Sequence, residues 1–154
     1  MLKHKIFFAF FLVLSGGIIA SHSHAGLGEP VDSLEKDRAS LLGKRQAPVT
    51  HPGFSVHEIV SDSVTLREYA SKDGIIFGIA WVGLRHPEVE SLLGSFSEGY
   101  QESVNQTPKK KGARRYTVKN ESIVVEKWGH PRKLQGRAYA SRLLPTGVSP
   151  DEIK

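Results

Sequence analysis

Residues 54–81 read FSVHEIVSDSVTLREYASKDGIIFGIAW, and the fold follows from where this stretch turns. Val, Ile, Phe and Tyr suit a pleated, half-buried surface. The runs 54–60, 64–70 and 75–82 are therefore strands, separated by Ser61-Asp62-Ser63 and by Ser71-Lys72-Asp73-Gly74. The Asp-Gly step supplies the positive φ of a tight hairpin. Because side chains alternate along a strand, Val64, Leu66 and Ala70 share one face of the second run and Thr65, Arg67 and Tyr69 the other. The third run is apolar on both faces, as in a central strand covered on both sides. Ile75, Phe77, Ile79 and Trp81 make one face bulky; Gly78 and Ala80 make the other small, and a helix is expected to pack closely there.

That helix follows within residues 87–101. Val89, Leu92, Leu93, Phe96 and Tyr100 recur with a 3.6-residue period, and Pro87 suits a first helical position. Gly94 inside it implies close packing or a short break. Beyond a basic loop at 107–115, TPKKKGARR, residues 116–119 and 122–128 read as a hairpin across Asn120-Glu121, with Asn120 in the left-handed conformation. Gly129-His130-Pro131 then turns the chain into a strand at 134–140. Ser149-Pro150-Asp151-Glu152 has the pattern of a capped terminal turn. Upstream, Asp32 and Glu35 suggest a capping box for a short helix through Leu42, ended by Gly43, and residues 46–53 read as a linker. The fold class implied is α+β: an antiparallel sheet of about six strands in the order βββ-α-βββ, one main helix on a face and a short N-terminal helix.

Residues 1–25 carry the three parts of a secretory signal: Lys3 and Lys5, an apolar run from Ile6 to Leu14 extended by Ile18 and Ile19, and Ser23-His24-Ala25 before Gly26. The run is too short, and too interrupted by Gly16 and Gly17, to read as a membrane anchor. A single α+β domain is expected over 26–154, exported to the periplasm or beyond after cleavage near Ala25, with no transmembrane segment remaining. The composition, 39% hydrophobic and 24% charged, is that of a folded domain. There is no cysteine, which excludes disulfide staples, a lipid-acceptor thiol and thiol catalysis. Loss of Lys3 and Lys5 with the leader lowers the net charge from +5 to +3, a modest bias toward anionic partners.

No cofactor loop, nucleophile elbow or metal cluster is present, so no cofactor is expected. GSFSEG around Ser97 has the wrong spacing for G-x-S-x-G. His51, His86 and His130 each precede proline, which places them in loops, and no two histidines stand at metal-ligand spacing. His57 and Glu58 are neighbours on a strand and point to opposite faces. A small envelope hydrolase using His57 with a nearby carboxylate is the catalytic alternative; cross-strand pairing of His57 with Arg67, Glu68 or Tyr69 is the structural one.

Two features can bind a partner. Arg67 with Tyr69, and Arg137 with Tyr139, each set a cation beside an aromatic on one strand face, the makings of a ligand wall or of a sheet's amphipathic cover. Lys109, Lys110, Lys111, Arg114 and Arg115 form a basic run that reads either as a solvated loop or as an anion-contacting patch. Nucleic acid is disfavoured, since the run lacks the interleaved aromatic platforms that stack bases and the protein is expected to leave the cytoplasm.

Several short motifs carry a family likeness. Val56-His57-Glu58-Ile59, Arg67-Glu68-Tyr69, Gly74-x-x-Phe77 with Ala80-Trp81-x-Gly83, Leu92-Leu93-Gly94, Gly136-Arg137-Ala138-Tyr139 and Leu143-Leu144-Pro145-x-Gly147-Val148 resemble, in order and spacing, a family of short exported bacterial proteins known only as a domain of unknown function. Leu84 stands where that pattern has proline. The resemblance implies an exported single domain and assigns no activity. With the residues, it points to a non-catalytic binding or structural module of the bacterial envelope, its partner an anionic envelope component or a secreted protein subunit.

Overall fold

The computed structural model describes residues 26–108 and 111–154; the leader-like stretch 1–25 and Lys109-Lys110 lie outside the described residues. The strands are β1 (Lys44–Arg45), β2 (Val49–His51), β3 (Phe54–Val60), β4 (Val64–Ser71), β5 (Ile76–Gly83), β6 (Arg115–Lys119), β7 (Ile123–His130) and β8 (Lys133–Ala140), and the helices are α1 (Leu34–Leu41), α2 (Val89–Leu92) and α3 (Ser97–Gln106). All strand pairs are antiparallel, in the order β1-β3-β4-β5-β8-β7-β6 with β2 also on β3. After β5 the chain crosses one face as helices, descends at the far edge as β6 and returns inward, so that β8 closes on β5.

The α+β class and the antiparallel sheet agree with the sequence, but the strands number eight, not six. The two additions include part of the expected linker at 46–53: Val49 pairs with Val56, and Lys44 with Val60, along one edge of β3. Pro48 interrupts them, and all five of their residues are exposed, so no alternating pattern marks them as strands.

A bulge moves Ile76 and Phe77 to the faces opposite those expected, while Ile79 and Trp81 stay opposite Ala80. Tyr69 pairs with Gly78 and Ala70 with Ile76, leaving Phe77 as the extra residue. Ile76, Ile79 and Trp81 then join one core with Leu34, Leu66, Val89, Leu93 and Tyr100, while Phe77 and Ala80 join a second with Phe54, Tyr69 and Ile153. The helices therefore pack on the bulky face. The small face takes the C-terminal segment, whose Ile153 is fully buried and fills the space a Cβ on Gly78 would occupy, 2.7 Å from its Cδ1.

The expected helix over 87–101 is two helices with a break. Gly94 has φ +53, and a 3-10 turn at Gly94–Phe96 separates α2 from α3. The incoming chain crosses there: Leu27 N–H donates to Leu92 O at 2.9 Å, and a Cβ on Gly94 would lie 3.0 Å from Leu27 O. Pro87 precedes the helix, whose N-cap is Glu88. Val89, Leu92, Leu93 and Tyr100 are buried as their spacing implies.

Three local expectations are also revised. Asp32 makes no capping bond, because a 3-10 turn at Val31–Ser33 leads directly into α1. Asn120 keeps a negative φ and instead accepts the Ser122 and Ile123 N–H groups on Oδ1, both at 2.9 Å, while its Nδ2 donates to Gly99 O and Ser103 Oγ on α3. The turn into β8 is Pro131-Arg132, with Arg132 at φ +69, and His130 still belongs to β7. The terminal turn at Ser149 does carry its capping box.

Candidate functional site

Arg67, Tyr69, Arg137 and Tyr139 meet on one face, as the alternation implies. One row across the sheet reads Glu58, Arg67, Ala80, Arg137, Glu126, and the next reads Val56, Tyr69, Gly78, Tyr139, Val124. Each arginine takes the acid at its end of the row, Arg67 Nε to Glu58 at 2.8 Å and Arg137 Nε to Glu126 at 2.6 Å. The small residues in the middle admit the chain's own C-terminal segment. Arg137 donates to Pro150 O at 2.7 Å, and Tyr69 OH donates to Lys154 O at 2.6 Å while accepting Lys154 N–H at 3.0 Å. The wall is thus partly filled from within: Arg67, Tyr69 and Arg137 hold a strap, and a cleft of about 500 Å³ remains beside Arg67 and Tyr69, bordered by Phe54, Glu58 and Lys154.

His57 lies on the opposite face, across from Glu68 in register, so it does not join Arg67 and Tyr69. Its Nε2 is 3.0 Å from Ser55 Oγ, and its Nδ1 is buried without a partner. Burial, then the Arg45 charge, lowers its pKa, so the ring is neutral near pH 7. As a base toward Ser55 it would need Nδ1–H held by an acceptor, and none is present. Glu68 is fully buried under α1 beside Asp37 and unreachable by substrate. The side-chain contact of His57 is with Ser55 on its own strand, and its cross-strand neighbour in register is Glu68.

The cleft with the richest chemistry lies at the other end of the molecule, between the α2–α3 layer and the β6–β7 hairpin, with a volume of about 590 Å³. The β7 register puts Lys127 beside Tyr116 on one side and Gly136 on the other. Lys127 Nζ stands 5.7 Å over the Tyr100 ring, and among the described residues it makes no ion pair or hydrogen bond. Burial lowers its pKa, and the Glu90 charge partly offsets that.

A Cβ on Gly136 would sit 2.1 Å from Trp81 Cζ2, so the glycine is what lets the indole lie over β8. From there Trp81 Nε1–H donates to His86 Nδ1 at 2.9 Å. An indole N–H can only donate; Nδ1 must accept, and the neutral ring carries its proton on Nε2. Burial, then the Lys127 charge, lowers the His86 pKa and keeps it neutral near pH 7. Arg114 and Tyr116 complete the rim. The cleft thus offers an ammonium, a guanidinium and an imidazole N–H, with Glu90, held by Gln101 Nε2 at 2.8 Å, as its acceptor.

The basic run divides accordingly. Arg114 lines this cleft, Arg115 lies 5.5 Å over the Trp128 ring, Lys111 is exposed, and Lys109 and Lys110 fall outside the described residues. Tyr100, Tyr116 and Trp128 all line the cleft beside Arg114, so the basic run has aromatic neighbours, Tyr116 next to it in sequence and Tyr100 and Trp128 brought there by tertiary structure. Among the described residues no three His, Asp or Glu side chains converge on a metal position.

The family model described as "Protein of unknown function (DUF2844)" matches residues 23–153. The chain belongs to this family. No curated protein and no solved structure matches it. In this DUF2844 protein the cleft brings Arg114 of the basic run together with Lys127, His86 and Tyr100, none of which the sequence marked as binding residues. One signal was available: Lys127 falls on the alternating face of Ile123 and Val125, which is the core face of the strand.

Proposed function

We propose that this DUF2844 protein is an exported, non-catalytic module that binds an anionic component of the bacterial envelope through the cleft at Lys127. The observation that carries this reading is the half-buried ammonium of Lys127, which makes no ion pair or hydrogen bond among the described residues and sits beside Arg114 in an aromatic-lined cleft. Leaving a desolvated charge unpaired costs stability, and a bound anion recovers that cost. The leader pattern of residues 1–25 supports export, and the His57 environment, without an oriented acid, gives catalysis no footing.

Two measurements test it. Fusion of residues 1–25 to a reporter active only outside the cytoplasm is expected to give activity, and the mature protein to begin at Gly26. Immobilised protein is expected to retain anionic material from an envelope extract, and Lys127→Met to lose at least tenfold of it. Equal retention by the variant would reject the cleft as the site.

A further inference from the structure

The groups in the cleft define more than charge. Lys127 and Arg114 are cations, the Tyr100 hydroxyl has no hydrogen-bond partner among the described residues, and His86 presents Nε2–H because Trp81 holds Nδ1. Glu90 is the discordant member. It faces the same space, its charge acts on both Lys127 and Tyr100, and Gln101 fixes only its Oε1. A carboxylate repels a bare phosphate or acetate, and it accepts hydrogen bonds from hydroxyls. A fatty acid would leave Glu90 and His86 desolvated and unpaired. The arrangement therefore calls for a ligand with an anionic group at one end and hydroxyl donors near it. The cleft falls in the volume range of small-molecule sites, roughly 300–1,000 Å³.

Building on the anion-binding reading above, we propose that the cleft binds a sugar acid, a pyranose unit of an acidic polysaccharide, with its carboxylate on Lys127 and Arg114 and ring hydroxyls on Glu90 and His86. Tyr116 supplies an apolar ring edge to the C–H face of the sugar. Lys127 selects for the acid; Glu90 selects for the sugar.

The test uses the full chain, with amide NMR shifts followed during titration by trigalacturonate, maltotriose and inorganic phosphate at constant ionic strength. Trigalacturonate is expected to bind at least tenfold tighter than either of the others, with shifts at residues 86–90, 100 and 127. Lys127→Met is expected to lose at least tenfold for trigalacturonate, and Lys127→Arg to keep most of it, which separates lost charge from lost folding. Glu90→Gln is expected to weaken trigalacturonate and to tighten phosphate. Maltotriose or phosphate binding as tightly as trigalacturonate, or Glu90→Gln tightening both anions, would overturn the sugar-acid assignment and leave the anion site standing. Absence of any Lys127-dependent binding would overturn both.

Discussion

Glu68 is fully buried, and Asp37 of α1, nearly as buried, faces it. Neither Glu68 oxygen nor Asp37 Oδ2 has another hydrogen-bond partner, so the two carboxyls can satisfy each other only if one is protonated. Burial raises both pKa values, that of Glu68 well above the ordinary range, with Asp37 adding to it and Arg45 opposing; Lys36 acts on Asp37 in the opposing sense. His57, across from Glu68, is neutral near pH 7 and contributes no compensating charge there. The pair then holds more protons in the folded chain than in the unfolded one above about pH 4, and its contribution to stability, full below that, declines as pH rises through the raised values. His57 and His86, whose pKa values are lowered, act in the opposite sense around the ordinary histidine range. From pH 5 to 8 the thermal unfolding midpoint of Glu68→Gln, which keeps the shape and cannot ionise, is expected to rise relative to that of the native protein, a comparison in which the histidine contributions cancel. An unchanged difference between the two across this range would remove the pair from the account.

Among the elements, the C-terminal strap differs most from what its sequence suggests. Residues 143–153 hold no regular strand or α-helix, yet Ile153 is fully buried against Gly78 and joins Phe54, Tyr69 and Phe77 in the second core. Truncating a buried isoleucine removes its transfer energy and leaves a cavity. Ile153→Ala is expected to cost about 2–5 kcal/mol in urea unfolding and to expose the Tyr69 and Arg137 contacts to faster hydrogen exchange. A loss of under about 0.5 kcal/mol, the size of an ordinary surface change, would mean that the strap is not part of the folded unit. The break at Gly94 is the second element-scale device. The 3.6-residue pattern of Val89, Leu92, Leu93, Phe96 and Tyr100 runs through it unbroken, since the 3-10 turn keeps these residues on the inward side.

At the scale of the molecule, the sheet separates two covers. Helices lie on the face of Leu66 and Trp81, and the strap lies on the face of Arg67 and Tyr69. The cation cleft sits under the helical cover at the β6–β7 end, next to the exposed Lys111 and Arg114. Exposed charges are screened over about 10 Å at 0.1 M salt and about 3 Å at 1 M, while partly buried ones are screened less. Raising salt over that range is therefore expected to slow association with an anionic glycan and to weaken it several-fold, and neutralising Lys111 and Arg114 together is expected to flatten the salt dependence, both measurable by titration. An unchanged slope would assign these two residues to solvent alone. Much of this was legible in the sequence. The three strands within 54–81, the later hairpins, the buried stripe of 89–100 and the terminal capping box are local, fixed by side-chain periodicity and turn chemistry within a few residues of one another. Family membership was legible from motif spacing as well. Tertiary structure alone decided three things: which face of β5 meets the helices, because the strand is apolar on both faces and the strap's Ile153 fills the space beside Gly78; that Arg67, Tyr69 and Arg137 hold the strap, because their partners lie up to 87 residues away; and that Lys127, His86 and Arg114 share a cleft, because only the return of β7 and β8 beside β5 brings those distant segments together.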